Sequence, residues 1–305
     1  PSLKSLINQI KSKELKVKGV VKTGRTHLMD AMPIDLSDEL RAWSSQLISS
    51  KKTFEALEKK LLELPQGGTA VGTGINAHKQ FSKYFTQELT KIYGKKVKFI
   101  SSNNFFHELS AQDCSVQLSG ELKNLAIILM KISNDLRWMN SGPLAGLSEI
   151  ELKALQPGSS IMPGKVNPVI PEAVAMASAD VIGNDVSISI AAQSGNYQLN
   201  VMLPVIAYNL LKSINLLSGS MNVLSKKAIK TFKVNKQNLE LSLSKNPILV
   251  TALNPVIGYE NAAYIAKKAY KEKRPIIEVA EEETNLSRKK LEKLLDPAKL
   301  SKGGL

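Results

Sequence analysis

The sequence predicts an all-α protein, a bundle of long helices with a small C-terminal helical domain, and three observations carry that expectation. Leu118, Leu122, Leu125, Leu129, Ile132, Leu136 and Met139 step by 4, 3, 4, 3, 4 and 3, a coiled-coil-like seam of about three heptads that needs partner helices of similar length. No apolar–polar alternation of useful strand length interrupts the helical spacing. Beyond about Lys245 the periodic segments shorten and charge becomes dense, which divides the chain into domains at 1–245 and 246–305.

Taken in order, Leu3, Leu6, Ile7 and Ile10 place a helix over 1–18. Residues 19–37, with Gly24 and Pro33, read as irregular. A long amphipathic helix follows over 38–64, with Ser37 as its N-cap and Pro65 as its stop. The glycine-rich QGGTAVGTG at 66–74 has no Gly-Lys-Ser/Thr ending to cradle phosphate, and residue 77 is not the glycine a dinucleotide fingerprint needs. Its glycines mark a close approach of backbone to other backbone or to a ligand. The next helix, 76–93, would carry His78 on its surface, and His107 falls in a polar loop. The leucine seam occupies 111–140. Two long helices follow at 168–193 and 197–231, the second with Val201, Met202, Val205, Ile206, Leu210 and Leu211 as a buried face and Pro204 as a kink near its start. Short helices at 259–273, 275–283 and 287–295 complete the chain.

Composition narrows the function. The chain of 305 residues, 43% hydrophobic, is long enough for a large core. Its net charge of +14 would suit nucleic acid, but the lysines alternate with glutamates, as in Lys51, Lys52, Glu55, Glu58, Lys59, Lys60 and Glu63. That is the pattern of a solvated helix face, so no nucleic-acid partner is expected. No apolar run approaches the roughly 20 residues of a membrane span, and PSLKSLINQI lacks a signal-peptide pattern. No membrane association is expected. The single cysteine, Cys114, excludes an intrachain disulfide framework and a four-cysteine iron–sulfur or zinc site. It suggests a reducing compartment, and the expected location is cytoplasmic.

Between the long helices lies 156–168, QPGSSIMPGKVNP, where prolines and glycines hold the backbone out of helix around Ser159, Ser160, Lys165 and Asn167. Irregular loops of this kind on a helical scaffold are where side chains do chemistry. The run GSSIMPGKVNP resembles the GSSxMPxKxNP pattern of the fumarase/aspartase superfamily. TGRTHLMDA at 23–31, QGGTAVGTG at 66–74 and LVTALNPVIGY at 249–259 are similar to class II fumarate hydratases, occur in that family's order, and span nearly the whole chain. Met29 departs from the glutamine common there in the family.

The resemblance implies a bundle of long helices and the reversible hydration of fumarate to L-malate, a reaction of the tricarboxylic acid cycle. It implies Ser159 as the catalytic base, Ser160, Lys165 and Asn167 as ligands of the substrate carboxylate, and Thr26 as a further substrate contact. His27 stands where fumarases carry histidine and aspartases typically carry glutamine, and would assist departure or addition of water. Glu172 matches a family carboxylate that pairs with the histidine. The resemblance further implies a homotetramer with active sites shared between subunits, no metal or organic cofactor, and an N-terminal portion of the family that lies outside this chain or comes from another polypeptide. An aspartate ammonia-lyase of the same superfamily and a non-catalytic helical scaffold fragment remain the alternatives.

Overall fold

Long runs with apolar residues three and four apart fold as helices, and the computed structural model, which describes residues 1–94 and 96–303, is built mainly of them. In chain order the elements are α1 (Ser2–Val17), β1 (Val21–Thr26), β2 (Met29–Asp35), α2 (Leu36–Glu58), β3 (Glu63–Leu64), α3 (Phe81–Ile92), β4 (Ile100–Ser101), α4 (Phe105–Ser110), α5 (Asp113–Met139), β5 (Ile150–Glu151), α6 (Val169–Gln193), α7 (Leu203–Val223), β6 (Lys233–Val234), α8 (Lys236–Ser244), α9 (Asn254–Ile257), α10 (Tyr259–Glu272), α11 (Ile276–Glu283), α12 (Arg288–Leu294) and α13 (Pro297–Leu300). The helical fold class holds. By their contacts the residues form two compact units, one of Pro1–Ile7, Ser45–Asp135 and Val169–Lys226, the other of Asn8–Ser44, Leu136–Pro168 and Lys227–Leu305.

In the first unit the predicted seam is buried from Leu122 on, with Leu122, Leu125, Leu129 and Ile132 of α5 all core residues and Leu118 half-buried. Helices α6 and α7 pack together around Ile188, Ala191 and Ile206. The buried polar groups between helices find partners, as buried groups must. Asp185 accepts from Ser119 Oγ and from Lys123 Nζ, each at 2.6 Å, and Asn184 Nδ2 donates to Ser213 Oγ at 3.2 Å. Against the expectation that no segment would suffice, α6 is long and apolar enough to cross a membrane. Its buried Asp185 and its core residues Val174, Val181 and Ile188 belong instead to a helix with neighbours on more than one side, which needs an apolar surface most of the way round.

Several boundaries differ from expectation. Helix α2 stops at Glu58, and a single 3-10 turn, Lys60–Leu62, carries the chain toward Pro65. Helix α3 begins at Phe81, so His78 sits in the turn before it, its Nδ1 accepting from Gln80 N at 3.2 Å. His107 lies in α4, whose N-cap Asn104 accepts from His107 N at 3.1 Å. The glycines of 66–74 do sit close to their neighbours: a Cβ at Gly68 would lie 2.8 Å from Phe105 Cβ, and one at Gly72 2.9 Å from the Phe106 ring. Pro204 occupies the first turn of α7, where a missing N–H costs nothing, so it makes no kink. The apolar face assigned to this helix is also different. Ile206 is buried, but Val201 is 67% and Leu211 61% exposed.

The second unit corrects 19–37 from irregular to an antiparallel hairpin, with Val21 opposite Asp35 and Thr26 opposite Met29. A bulge between Thr23 and Arg25 hid the alternation, and only glycine fits there, because a Cβ at Gly24 would lie 2.6 Å from Met32 O. Asp35, not Ser37, caps α2: its Oδ1 accepts from Ser37 N at 2.8 Å and its Oδ2 from Gly19 N at 2.7 Å. Burial opposes ionisation of Asp35, but these hydrogen bonds and the nearby Lys18 outweigh it and hold the carboxyl below its usual range. The hairpin packs against α8 and α13. Val21 touches the core formed by Leu249, Leu253, Ile265, Val279 and Leu291, and Asn246 Nδ2 donates to Ala31 O at 2.8 Å.

Candidate active site

The loop 156–168 has no regular structure after β5 because Pro157, Pro163 and Pro168 lack N–H groups and Gly164 takes φ +83°. It is nevertheless closed on itself. A Cβ at Gly158 would lie 2.0 Å from Lys165 O and 3.0 Å from Asn167 N, so the two ends of the loop touch through bare backbone. Asn167 Nδ2 donates to Gly158 O at 2.8 Å across the same contact, and Lys165 N donates to Met162 O at 3.3 Å.

Within this ring Ser159 Oγ accepts from two backbone amides, Met162 N at 3.1 Å and Ile161 N at 3.3 Å. Donors converging on a hydroxyl oxygen favour its ionised form. The surrounding cavity, about 470 Å³, is lined by Gln156, Pro157, Gly158, Ser159, Pro163 and Lys165 among others. Ser159 is half-buried and Lys165 exposed, and both line this one concavity. Ser160 is exposed outside this lining. Asn167 braces the loop with one amide N–H. Glu172 is half-buried in the first turn of α6.

Thr26 and His27 lie at the hairpin tip, both exposed. The two-residue turn has His27 at φ 55° and Leu28 at φ 61°, as a type I′ turn requires, although neither residue is the asparagine or glycine that adopts this conformation most readily. Among the described residues no hydrogen bond or ion pair joins this tip to the loop 156–168. The structure therefore gathers Ser159, Lys165 and Asn167 and leaves Thr26 and His27 on a separate projection.

Sequence reasoning missed the group that fixes the hairpin. Glu149 is buried and pairs through its two oxygens with Lys22 Nζ and Arg25 Nη1; Lys22 also pairs with Glu39 at 3.1 Å, and Arg25 with Asp30 at 3.6 Å. The available signal was Lys22 and Arg25 three apart in a segment read as irregular, with an acid shortly before the loop. Gly158 was also missed, although it opens the GSS run.

A family described as lyase matches residues 1–183, and a second, described as fumarase C C-terminus, matches 249–302. The chain is 59% identical over all 305 of its residues to fumarate hydratase class II 2 of Pseudomonas aeruginosa, covering 66% of that protein. It is 55% identical to fumarate hydratase class II of Xylella fastidiosa, covering all of the chain and 64% of that relative. A crystal structure of class II fumarase from Schistosoma mansoni superposes with a TM-score of 0.95 at 36% identity, covering 99% of this chain and 66% of the other. The chain thus spans just under two-thirds of the length of these relatives.

Proposed function

The chain belongs to the lyase family that matches its first 183 residues, and from that premise we propose that it carries a fumarate hydratase site, a hydro-lyase that adds water to fumarate reversibly to give L-malate within the tricarboxylic acid cycle. One observation carries the reading: a serine oxygen, Ser159 Oγ, receives two backbone N–H bonds at the edge of a cavity that also presents Lys165.

The chemistry asks for that arrangement. Dehydrating malate removes a weakly acidic proton beside a carboxylate, and the departing proton leaves negative charge on that carboxylate. The site needs a base and fixed positive donors. A free serine is a poor base at neutral pH and needs activation. Amide donors at 3.1 and 3.3 Å favour its alkoxide, and Lys165, with Ser160 and Asn167, holds the carboxylate and its enolate-like form. Ser159 takes the proton. The carbon–oxygen bond then breaks, and the leaving hydroxide takes a proton from His27, aided by Thr26 at the substrate, with Glu172 the carboxylate that the family resemblance pairs with this histidine. Hydration reverses each step.

We place the chain in a homotetramer whose subunits share active sites. Met176, Val186 and Ile190 of α6 and Tyr208 and Leu211 of α7 are more than half exposed, an apolar surface of the kind that partner subunits cover. The cytoplasm is the expected location, in keeping with a single free cysteine, Cys114. Fumarate hydration and ammonia release from L-aspartate, measured in parallel, test the assignment. Turnover of fumarate, abolished by Ser159→Ala with helicity unchanged, is the expected result. Activity with aspartate alone, or an active Ser159→Ala, refutes it.

A further inference from the structure

We infer that Glu149 is a positioning residue for this reaction: its buried carboxylate ties the hairpin that carries Thr26 and His27 to the segment that becomes the Ser159 loop. The inference rests on the hydratase reading and goes beyond it, because Glu149 touches no substrate-facing group. On one side it grips β1 through Lys22 and Arg25, and Arg25 precedes His27 by two residues. On the other, its own backbone is fixed. Glu149 N donates to Met139 O at 2.8 Å and Asn235 N donates to Glu149 O at 2.9 Å. Ile150 then pairs with Val234, and Asn238 Nδ2 donates to Leu147 O at 2.6 Å.

A carboxylate held this way is a poor source of stability, because burying charge costs much of what the pairing returns. It is an effective constraint on direction, since each oxygen meets one cation and both cations leave the same strand. The remaining partners matter for the test. Glu39 stays on Lys22 and Asp30 on Arg25 when Glu149 is neutralised, so neither cation is stranded and the fold survives. What is lost is the tether between the two chemical segments. A misplacement of about 1 Å lowers a rate by about 100-fold.

The test compares wild-type full chain with Glu149→Gln and Glu149→Asp, measuring kcat and KM for fumarate, thermal unfolding, and amide exchange across 21–35. Glu149→Gln is expected to lower kcat by about 100-fold with KM within about threefold, and to speed exchange at 26–29. Glu149→Asp is expected to restore part of both. A Glu149→Gln variant with wild-type kcat below its melting temperature overturns the proposal even where its melting temperature falls, because that is what a merely structural role gives. Unchanged hairpin exchange also overturns it. A wild-type chain that hydrates no fumarate fails the hydratase reading instead, and hairpin exchange then decides separately whether Glu149 holds the tip.

Discussion

Gly158→Ala is expected to silence the site while leaving the protein folded. The added methyl carbon would lie 2.0 Å from Lys165 O, 2.7 Å from Lys165 C and 3.0 Å from Asn167 N. Ordinary contact needs about 3.5 Å, so the two ends of the loop must part by about 1.5 Å. Both sides of the clash are backbone, and no rotamer change relieves it. Parting them breaks the 2.8 Å bond from Asn167 Nδ2 to Gly158 O and moves Ser159, the next residue, off its seat. A shift of about 1 Å is worth roughly 100-fold in rate, or about 2.7 kcal/mol of barrier. The loop is largely exposed, so the loss in stability is about one hydrogen bond, near 1 kcal/mol. Gly164→Ala is the control: its φ of +83° makes alanine strained, but nothing lies within 4 Å of the new carbon. Fumarate hydration kinetics and thermal melts on both variants decide the matter. A Gly158→Ala enzyme within about threefold of wild-type kcat, or one whose loss simply tracks unfolding, would refute the claim that this backbone contact seats Ser159.

Other substitutions test the scaffold. Asp185→Ala leaves the buried Ser119 hydroxyl without its acceptor, while Lys123, whose side chain is 42% exposed, rehydrates; urea unfolding is expected to show a loss of about 1–3 kcal/mol, and a loss near zero would remove the bond from the packing argument. Asp35 has a folded-state pKa below its usual value, so its contribution is present above the unfolded value near 3.9 and disappears as pH falls through the folded value. Unfolding measured across that acidic window is expected to show a steeper loss in wild type than in Asp35→Asn. His107 is raised, first by its bond to Asp113 and further by Glu108, so its small, solvent-screened contribution is present below about pH 6.5 and fades as pH rises through the folded value. The protection of amides at the corner between α4 and α5, taken relative to their intrinsic exchange at each pH, is expected to fall over that rise in wild type and to stay constant in His107→Gln.

The long helices were legible because their signal is periodic and repeated: residues 122–132 carry the seam spacing, and the same leucines are buried. The hairpin was not, because β2 carries an extra residue, Ala31 and Met32 facing the single Gly24, and Pro33 removes a donor within strands of six and seven residues. Alternation that short does not survive one bulge. The face of α7 was misread for another reason. Apolar spacing reports which side avoids water, and it is silent on whether the cover comes from the same chain. In the loop, the sequence pointed to Ser159 and Lys165 through order of residues, while the contact that closes the ring is made by a residue without a side chain, Gly158. Glu149 was invisible for a similar reason: an acid in a turn becomes a clamp only once an irregular hairpin brings Lys22 and Arg25 onto it.

These placements also bear on the homotetramer proposed above. Lys165 is exposed, and so are Thr26 and His27. A unit charge 4 Å from an anion is worth about 1 kcal/mol in water and about 4 kcal/mol at the effective dielectric of a protein surface. Stabilising an enolate-like carboxylate therefore depends on water being excluded from around Lys165, and a loop standing in solvent cannot exclude it alone. The chain supplies a serine already held by two amides and a histidine projected on a braced hairpin. Under the homotetramer proposed above, that desolvation would come from partner subunits, and the exposed apolar residues Met176, Val186, Ile190 and Leu211 are a surface they would cover. If the proposed homotetramer and hydratase reading hold, assembly is part of the catalytic chemistry, and dilution of the chain below its association range is expected to lower fumarate turnover per chain.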